Sequence, residues 1–267
     1  MRTGLWLVLR RKIFWPLLAL GLLNFLFAFA VVYIKAQFTA QGMPVGGFLD
    51  QVMLTGTGRA YLDFMFFQSL ATMLLLSFAG SMLIGGDYQQ SGLTFYLSRR
   101  IGKRHYIVGK IGAIGSVVAL ITVVPALLLY IEYGLFSSSF QYFLDSPRIL
   151  AGILGYGALM AVTFSLVLAA LASWLPRTAP LVMTWAGLFI LLPPLAEAFS
   201  AMREKSYWAL LDLPRDLYLL GSWCFDNLEA GSENARLAEA AVWFVPAVCL
   251  VSLLALVRRV RAVEVVR

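Results

Sequence analysis

Residues 13–34, 64–86, 111–131, 149–174, 181–196 and 240–257 contain no Asp, Glu, Lys, Arg or His. Uncharged apolar runs of this kind constrain the fold more than anything else in the chain. About 20 helical residues at about 1.5 Å each cross a hydrocarbon core of about 30 Å, and a segment in lipid must satisfy its own backbone hydrogen bonds. The chain is 61% hydrophobic and only 13% charged, outside the range of soluble domains. The expected fold class is therefore an all-α integral membrane protein with six transmembrane helices.

The charges outside the runs set the expected orientation. Arg2, Arg10, Arg11, Lys12, Arg99, Arg100, Lys103, Arg104, Lys110, Arg177, Arg258, Arg259, Arg261 and Arg267 fall on one side, and Lys35, Arg59, Arg148, Arg203, Lys205, Arg215 and Arg236 on the other. Basic residues accumulate on the cytoplasmic side, so the richer side is cytoplasmic and both termini face the cytosol. The acids agree, with only Asp87 and Glu264 inside. The net charge of +7 thus reads as topology and not as a nucleic-acid footprint, which needs basic residues gathered on a folded soluble face.

Residues 1–12 mix Leu5, Trp6, Leu7 and Leu9 with four basic residues. They read as an N-terminal interfacial helix before an uncleaved anchor, because the following apolar run is too long for a signal peptide. Residues 13–267 then form a single six-helix domain. Residues 35–63 are a Gly-rich exposed loop. The fourth run carries Gly152, Gly155, Gly157, Ala158 and Ala161, small enough for close helix approach. Leu175, Pro176, Arg177, Thr178, Ala179 and Pro180 make a tight turn, and the fifth run ends near Pro193 and Pro194. The outer segment 200–239 mixes charges with Tyr218, Trp223 and Phe225. It is expected to form short helices at the headgroup level, where amphipathic rings reside.

Residues 87–110 are the longest polar and basic interruption on the cytoplasmic side. Leu93, Phe95, Tyr96, Leu97 and Ile101 are interleaved with Arg99, Arg100, Lys103, Arg104 and Lys110, which describes an amphipathic element against an anionic membrane surface. Positive-inside anchoring alone would account for these charges. The order of residues adds more. Asp87, then Ser91-Gly92-Leu93, then Leu97-Ser98-Arg99-Arg100-Ile101-Gly102-Lys103, then Gly109-Lys110 resembles the first cytoplasmic loop of type-2 export permeases, the membrane subunits of ABC transporters. There an acidic residue precedes a Gly-Thr-Leu-like turn, a Leu-Ser-x-Pro-Ile-Ser-Arg-like segment and a Gly-Lys opening the third helix. Here Ser91-Gly92 replaces Gly-Thr, Arg100 replaces Pro and Gly102 replaces Ser.

That resemblance implies a coupling helix between the second and third spans. Asp87, Tyr88, Gln89, Gln90, Ser91 and Gly92 would contact an ATPase, while Arg99, Arg100, Lys103, Arg104 and Lys110 would meet the membrane surface or the ATPase. It further implies two ABC ATPase subunits as partners, a second copy of the chain or a paralogous permease, and a bacterial-type cytoplasmic membrane. ATP and Mg would be bound by the ATPase, with no cofactor in this chain.

No Gly-x4-Gly-Lys-Ser/Thr phosphate loop occurs. His105 is the lone histidine, so neither a His-Glu-x-x-His zinc site nor a Ser-His-Asp triad can be assembled, and Cys224 and Cys249 have no metal-type spacing. The chain is therefore not expected to be an enzyme. Spans free of ionisable groups also disfavour an ion-coupled carrier. A transport-inert membrane scaffold and an ATP-independent carrier or channel remain the other readings of the sequence.

Overall fold

The computed structural model describes residues 14–40, 56–80, 84–85, 103–136, 141–203, 206–229 and 231–265. The expected interfacial helix 1–12, most of the Gly-rich loop and the stretch 86–102 lie outside the described residues. Among the described residues the chain is all-helical, and six helices are long and apolar enough to cross a membrane. The chain is that of a multi-pass membrane protein.

In chain order the elements are α1 (Phe14–Ala40), α2 (Gly58–Gly80), α3 (Lys103–Phe136), α4 (Gln141–Asp145), α5 (Pro147–Trp174), α6 (Thr178–Ala186), a π-helical turn (Gly187–Leu191), α7 (Leu192–Arg203), a 3-10 turn (Ser206–Leu211), α8 (Leu213–Cys224) and α9 (Glu233–Val265). The long helices alternate in direction. One end of the bundle, the cap end, holds α4, α8 and the start of α9. The opposite end, the loop end, holds the start of α3 and the 175–177 turn between α5 and α6.

Helix α5 is the centre. It packs along α3 and α9 and also touches α2 and α8, and Ile153, Tyr156, Phe164 and Leu168 on it are fully buried. Two of its small residues explain the closeness. A Cβ on Gly157 would collide with Val123 on α3, and one on Gly152 would meet the Phe225 ring at 2.5 Å. Ala158 and Gly155, by contrast, are exposed. The stripe of small residues therefore serves separate contacts and not one seam.

Between α1 and α2, inside the apolar runs, Gln68 donates from Nε2 to the Gly21 carbonyl at 2.9 Å, and Asn24 donates from Nδ2 to Gln68 Oε1 at 2.8 Å. Away from water such bonds tie helices together at about 1 kcal/mol each.

The fifth span is interrupted. Proline removes an N–H, and its ring clashes with the carbonyl four residues earlier. Pro193 and Pro194 therefore disfavour regular α geometry at Phe189 and Ile190, and the π turn at Gly187–Leu191 widens the helix there. Helix α7 then continues to Arg203, since both prolines fall in its first turn, where a missing donor costs little. The widened turn is filled by aromatic rings: Trp185 and Phe189 lie 4.5 Å apart, and Phe164 packs edge-on at 5.7 Å from Phe189. Trp185 Nε1 donates to the Met73 carbonyl of α2 at 3.0 Å. Trp185→Phe removes this buried bond and part of the ring, and is expected to cost about 1–3 kcal/mol. Thermal unfolding in detergent reads this directly, and an unshifted transition would mean the contact contributes nothing.

At the loop end, Arg259 of α9 donates from Nε to the Ser173 carbonyl at 3.3 Å, and its guanidinium lies 5.5 Å from the Trp174 ring centre. A cation at the C-terminus of α5 satisfies an orphan carbonyl and the helix dipole together.

Candidate functional site at the two ends of the bundle

Asp87, Tyr88, Gln89, Gln90, Ser91, Gly92, Arg99 and Arg100 lie outside the described residues. Lys103 opens α3, and Arg104 and His105 follow it as exposed residues. Lys110 is half-buried about two turns into the helix, with its ammonium 5.7 Å from the Tyr106 ring centre. Positions 104 and 110 thus share the rigid first turns of α3. The near side of the loop is also fixed. Gly85 is buried and packs so closely on the 175–177 turn that a Cβ there would collide with the Pro176 carbonyl oxygen. The stretch 86–102 therefore begins against one turn of the bundle and ends on the base of α3.

From that base α3 stays helical for 34 residues, with Pro125 inside it. At about 1.5 Å per residue this is about 51 Å, well beyond a hydrocarbon core of about 30 Å. Its far end enters an aromatic knot. Tyr142 of α4 donates to the Gly56 carbonyl at 3.1 Å, and its hydroxyl lies 3.4 Å from that of Tyr61 on α2. The Tyr142 proton is used on Gly56, so Tyr61 is the donor in that pair. Tyr130 and Tyr133 of α3 hold the Tyr142 ring at centroid distances of 5.5 and 5.1 Å. Burial pushes the Tyr142 phenol up to about 12. Beside it in sequence, Glu132 is buried with both carboxylate oxygens lacking a hydrogen-bond partner.

Helix α8 is the second polar feature of the cap end. Its start is written locally: Asp212 Oδ1 accepts from the Arg215 N–H at 3.1 Å, and Pro214 stands in the first turn. Leu213, Leu217 and Leu220, at i, i+4 and i+7, turn into the main core. Leu219 joins Ala209, Leu237 and Ala238 in a separate cluster. Gly221 lets the helix sit hard against its neighbours, since a Cβ there would meet Leu62 at 2.5 Å and the Tyr156 ring at 2.8 Å. Tyr218 donates to Asp63 Oδ1 of α2 at 2.7 Å, and burial together with that bond pushes its phenol up to about 12. The helix ends at Cys224; two residues on, Asp226 has a left-handed φ of 58°, and its carboxylate pairs with Arg148 at the start of α5. Both partners of that pair are exposed, so its contribution is at most about 1 kcal/mol.

Asp216 stands apart. It is 1% exposed, its Oδ2 has no hydrogen-bond partner, and burial first, then Asp212, push its carboxyl up to about 8 against the partial relief of Arg215. Sequence reasoning placed residues 200–239 at the headgroup level and singled out their aromatics. It missed Asp216, although one acid among Leu213, Leu217, Leu219 and Leu220 was a visible signal.

Among the described residues no group of three or more His, Cys, Asp or Glu side chains could hold a metal ion. Comparison with protein-family models gives no match for this chain, and comparison with curated proteins gives none either.

Proposed function

We propose that the chain is the membrane-spanning permease subunit of an ATP-driven exporter of the ABC type-2 class. In this reading the start of α1, the start of α3 and the end of α9 face the cytoplasm, and residues 87–92 seat in a cleft of a separate ATPase. The observation that carries it is the 34-residue helix α3, rooted at the end of the loop that resembles a coupling element and ending in the tyrosine knot of the opposite face. A continuous helix of this length, even with Pro125 inside it, links a displacement at one face to the other. Closing of an ATPase dimer on ATP would move the loop, and α3 would carry the motion to Tyr130, Tyr133 and the α4 contact.

The outward surfaces suit a paired assembly in lipid. The apolar windows of the first, fifth and sixth spans are 22%, 22% and 17% buried, against 67% for the second and fourth. These faces are left for acyl chains and for a second permease, alike or paralogous. The membrane assigned is a bacterial-type cytoplasmic one, and hydrolysis of ATP belongs to the partner.

The test acts on the loop. Tyr88→Ala removes an aromatic anchor worth on the order of 1–3 kcal/mol at a protein interface, about ten- to a hundredfold in association. With Gln89→Ala added, the expected result is normal membrane abundance with weak co-purification of the ATPase or uncoupled hydrolysis. Parent-level association and ATP-driven transport in the double variant would overturn the coupling role and leave the loop as a positive-inside anchor.

A further inference from the structure

A cavity of about 240 Å³ opens at the cap end between the start of α2, the second half of α8 and the segment leading into α9. Its polar walls divide by whether they are already used. The Tyr218 hydroxyl donates to Asp63, the Ser222 hydroxyl donates to the Tyr218 carbonyl at 3.0 Å, and the Ser232 hydroxyl accepts from the Ala235 N–H at 3.2 Å as the cap of α9. Arg59, Asn227, Glu229 and Asn234 also line it, and their side chains make no hydrogen bond or ion pair among the described residues. An arginine and a glutamate thus line one small cavity without pairing with each other, and two asparagines able to donate and accept stand beside them.

A site for a simple anion or a simple cation has no use for the second charge, which would repel it. Opposite charges that do not pair with each other complement a ligand that carries both. The guanidinium fork matches a phosphate with parallel N–H donors, and a carboxylate accepts from an ammonium. Depth narrows the class further. Arg59 lies one residue into α2 and Asn234 one residue into α9, where both apolar helices begin. Trp223, 68% exposed, marks the same level at the end of α8. This is the headgroup layer, where amphipathic rings gather. Leu62, Leu219 and Leu228 supply apolar wall for the carbons next to a headgroup.

We propose that this cavity binds a zwitterionic phosphoethanolamine group, with the phosphate on Arg59, the ammonium on Glu229, and the Asn227 and Asn234 amides bonding the ester oxygens. The site needs no ATPase, so it stands or falls apart from the permease reading.

The test uses the full chain in detergent micelles, with binding read by native mass spectrometry. The probes are phosphatidylethanolamine, phosphatidylglycerol and soluble glycerophosphoethanolamine. The parent chain is expected to bind phosphatidylethanolamine about tenfold more tightly than phosphatidylglycerol, because Glu229 repels a headgroup that is only anionic. Arg59→Gln and Glu229→Gln should each weaken phosphatidylethanolamine binding by about tenfold, the scale of one lost charge-assisted hydrogen bond. Glu229→Gln should also close the gap between the two lipids, which a merely structural role for Glu229 would leave unchanged. Both side chains are exposed, so the variants should keep the parent Tm. Binding of glycerophosphoethanolamine with the same dependence on both residues assigns the site to free and lipid-borne headgroups alike; binding of the lipid alone assigns it to the bilayer. Equal binding of the two lipids by the parent, or parent-level phosphatidylethanolamine affinity in both variants, would overturn the proposal.

Discussion

Gly85→Ala is expected to lower the Tm by several degrees, while Gly109→Ala leaves it unchanged or raises it. The two glycines lie on either side of the 86–102 stretch and differ in what a methyl group would meet. At Gly109 nothing lies within 4 Å of the new Cβ. Gly109 sits inside α3, where alanine is the better helix former by up to about 1 kcal/mol. At Gly85 the obstacle is backbone: the Pro176 carbonyl oxygen, with its carbon at 3.1 Å and its Cα at 3.3 Å from the ideal Cβ. A side chain in the way could rotate aside. The Pro176 carbonyl belongs to a turn held between α5 and α6, so the turn and the end of the second span must separate. Overpacking of this kind costs about 1–3 kcal/mol, and about 2–4 °C of Tm follows each kcal/mol in a chain of this size. Thermal unfolding of both variants in one detergent gives the comparison, and equal Tm values for the two would show that Gly85 is not a contact point of the fold.

That contrast also marks how far the sequence could be read. The spans were visible because charge is excluded from lipid, and residues 111–131 and 149–174 fall inside α3 and α5. The ends were not visible. Helix α3 begins at Lys103 and ends at Phe136, because exposed residues such as Arg104 and His105 lie comfortably in a helix once it leaves the apolar layer. Pro193 and Pro194 read as the end of the fifth span, yet a π turn absorbs them and the chain stays helical to Arg203. The contacts of Gly152 with Phe225 and of Gly157 with Val123 are tertiary, and no local spacing separates them from exposed Gly155 and Ala158. Gln68 and Asn24 were passed over for the same reason. An uncharged polar residue in an apolar run carries no sign of its partner until the neighbouring helix is placed. At the cap end short helices were expected in 200–239, but its mixed charges concealed that Leu213, Leu217 and Leu220 are core residues, and with them the buried carboxyl of Asp216.

Asp216 gives the second large effect, through pH. An isolated carboxylate in an apolar site is costly, so a buried carboxyl without partners takes up a proton instead. Its value of about 8 in the folded chain stands above the ordinary 3.8. The folded state therefore binds the proton more tightly than the unfolded state, and the group favours folding while it is protonated in both. As pH rises past 4 the unfolded chain loses that proton and the folded chain keeps it, so stability falls with pH until Asp216 ionises in place near 8 and the penalty levels off. Each pH unit of that window weighs about 1.4 kcal/mol at most. The relief from Arg215 is already contained in that value, so up to about 4 kcal/mol between pH 5 and pH 8 is the expected scale. Asp216→Asn keeps the shape and cannot ionise. Its Tm should match or lie below that of the parent at pH 5, where the amide leaves a buried group unpaired, and exceed it by several degrees at pH 8. The difference between the two curves isolates Asp216 from every other titrating group, since those are common to both chains. The weakness at high pH should be local as well. Amide exchange in α8 should quicken in the parent between pH 5 and pH 8, beyond the intrinsic rise seen in α5, and should not do so in Asp216→Asn. Parallel Tm curves for parent and variant across that range would mean that Asp216 is ionised throughout, and that α8 docks with a charge the cap end is able to hold.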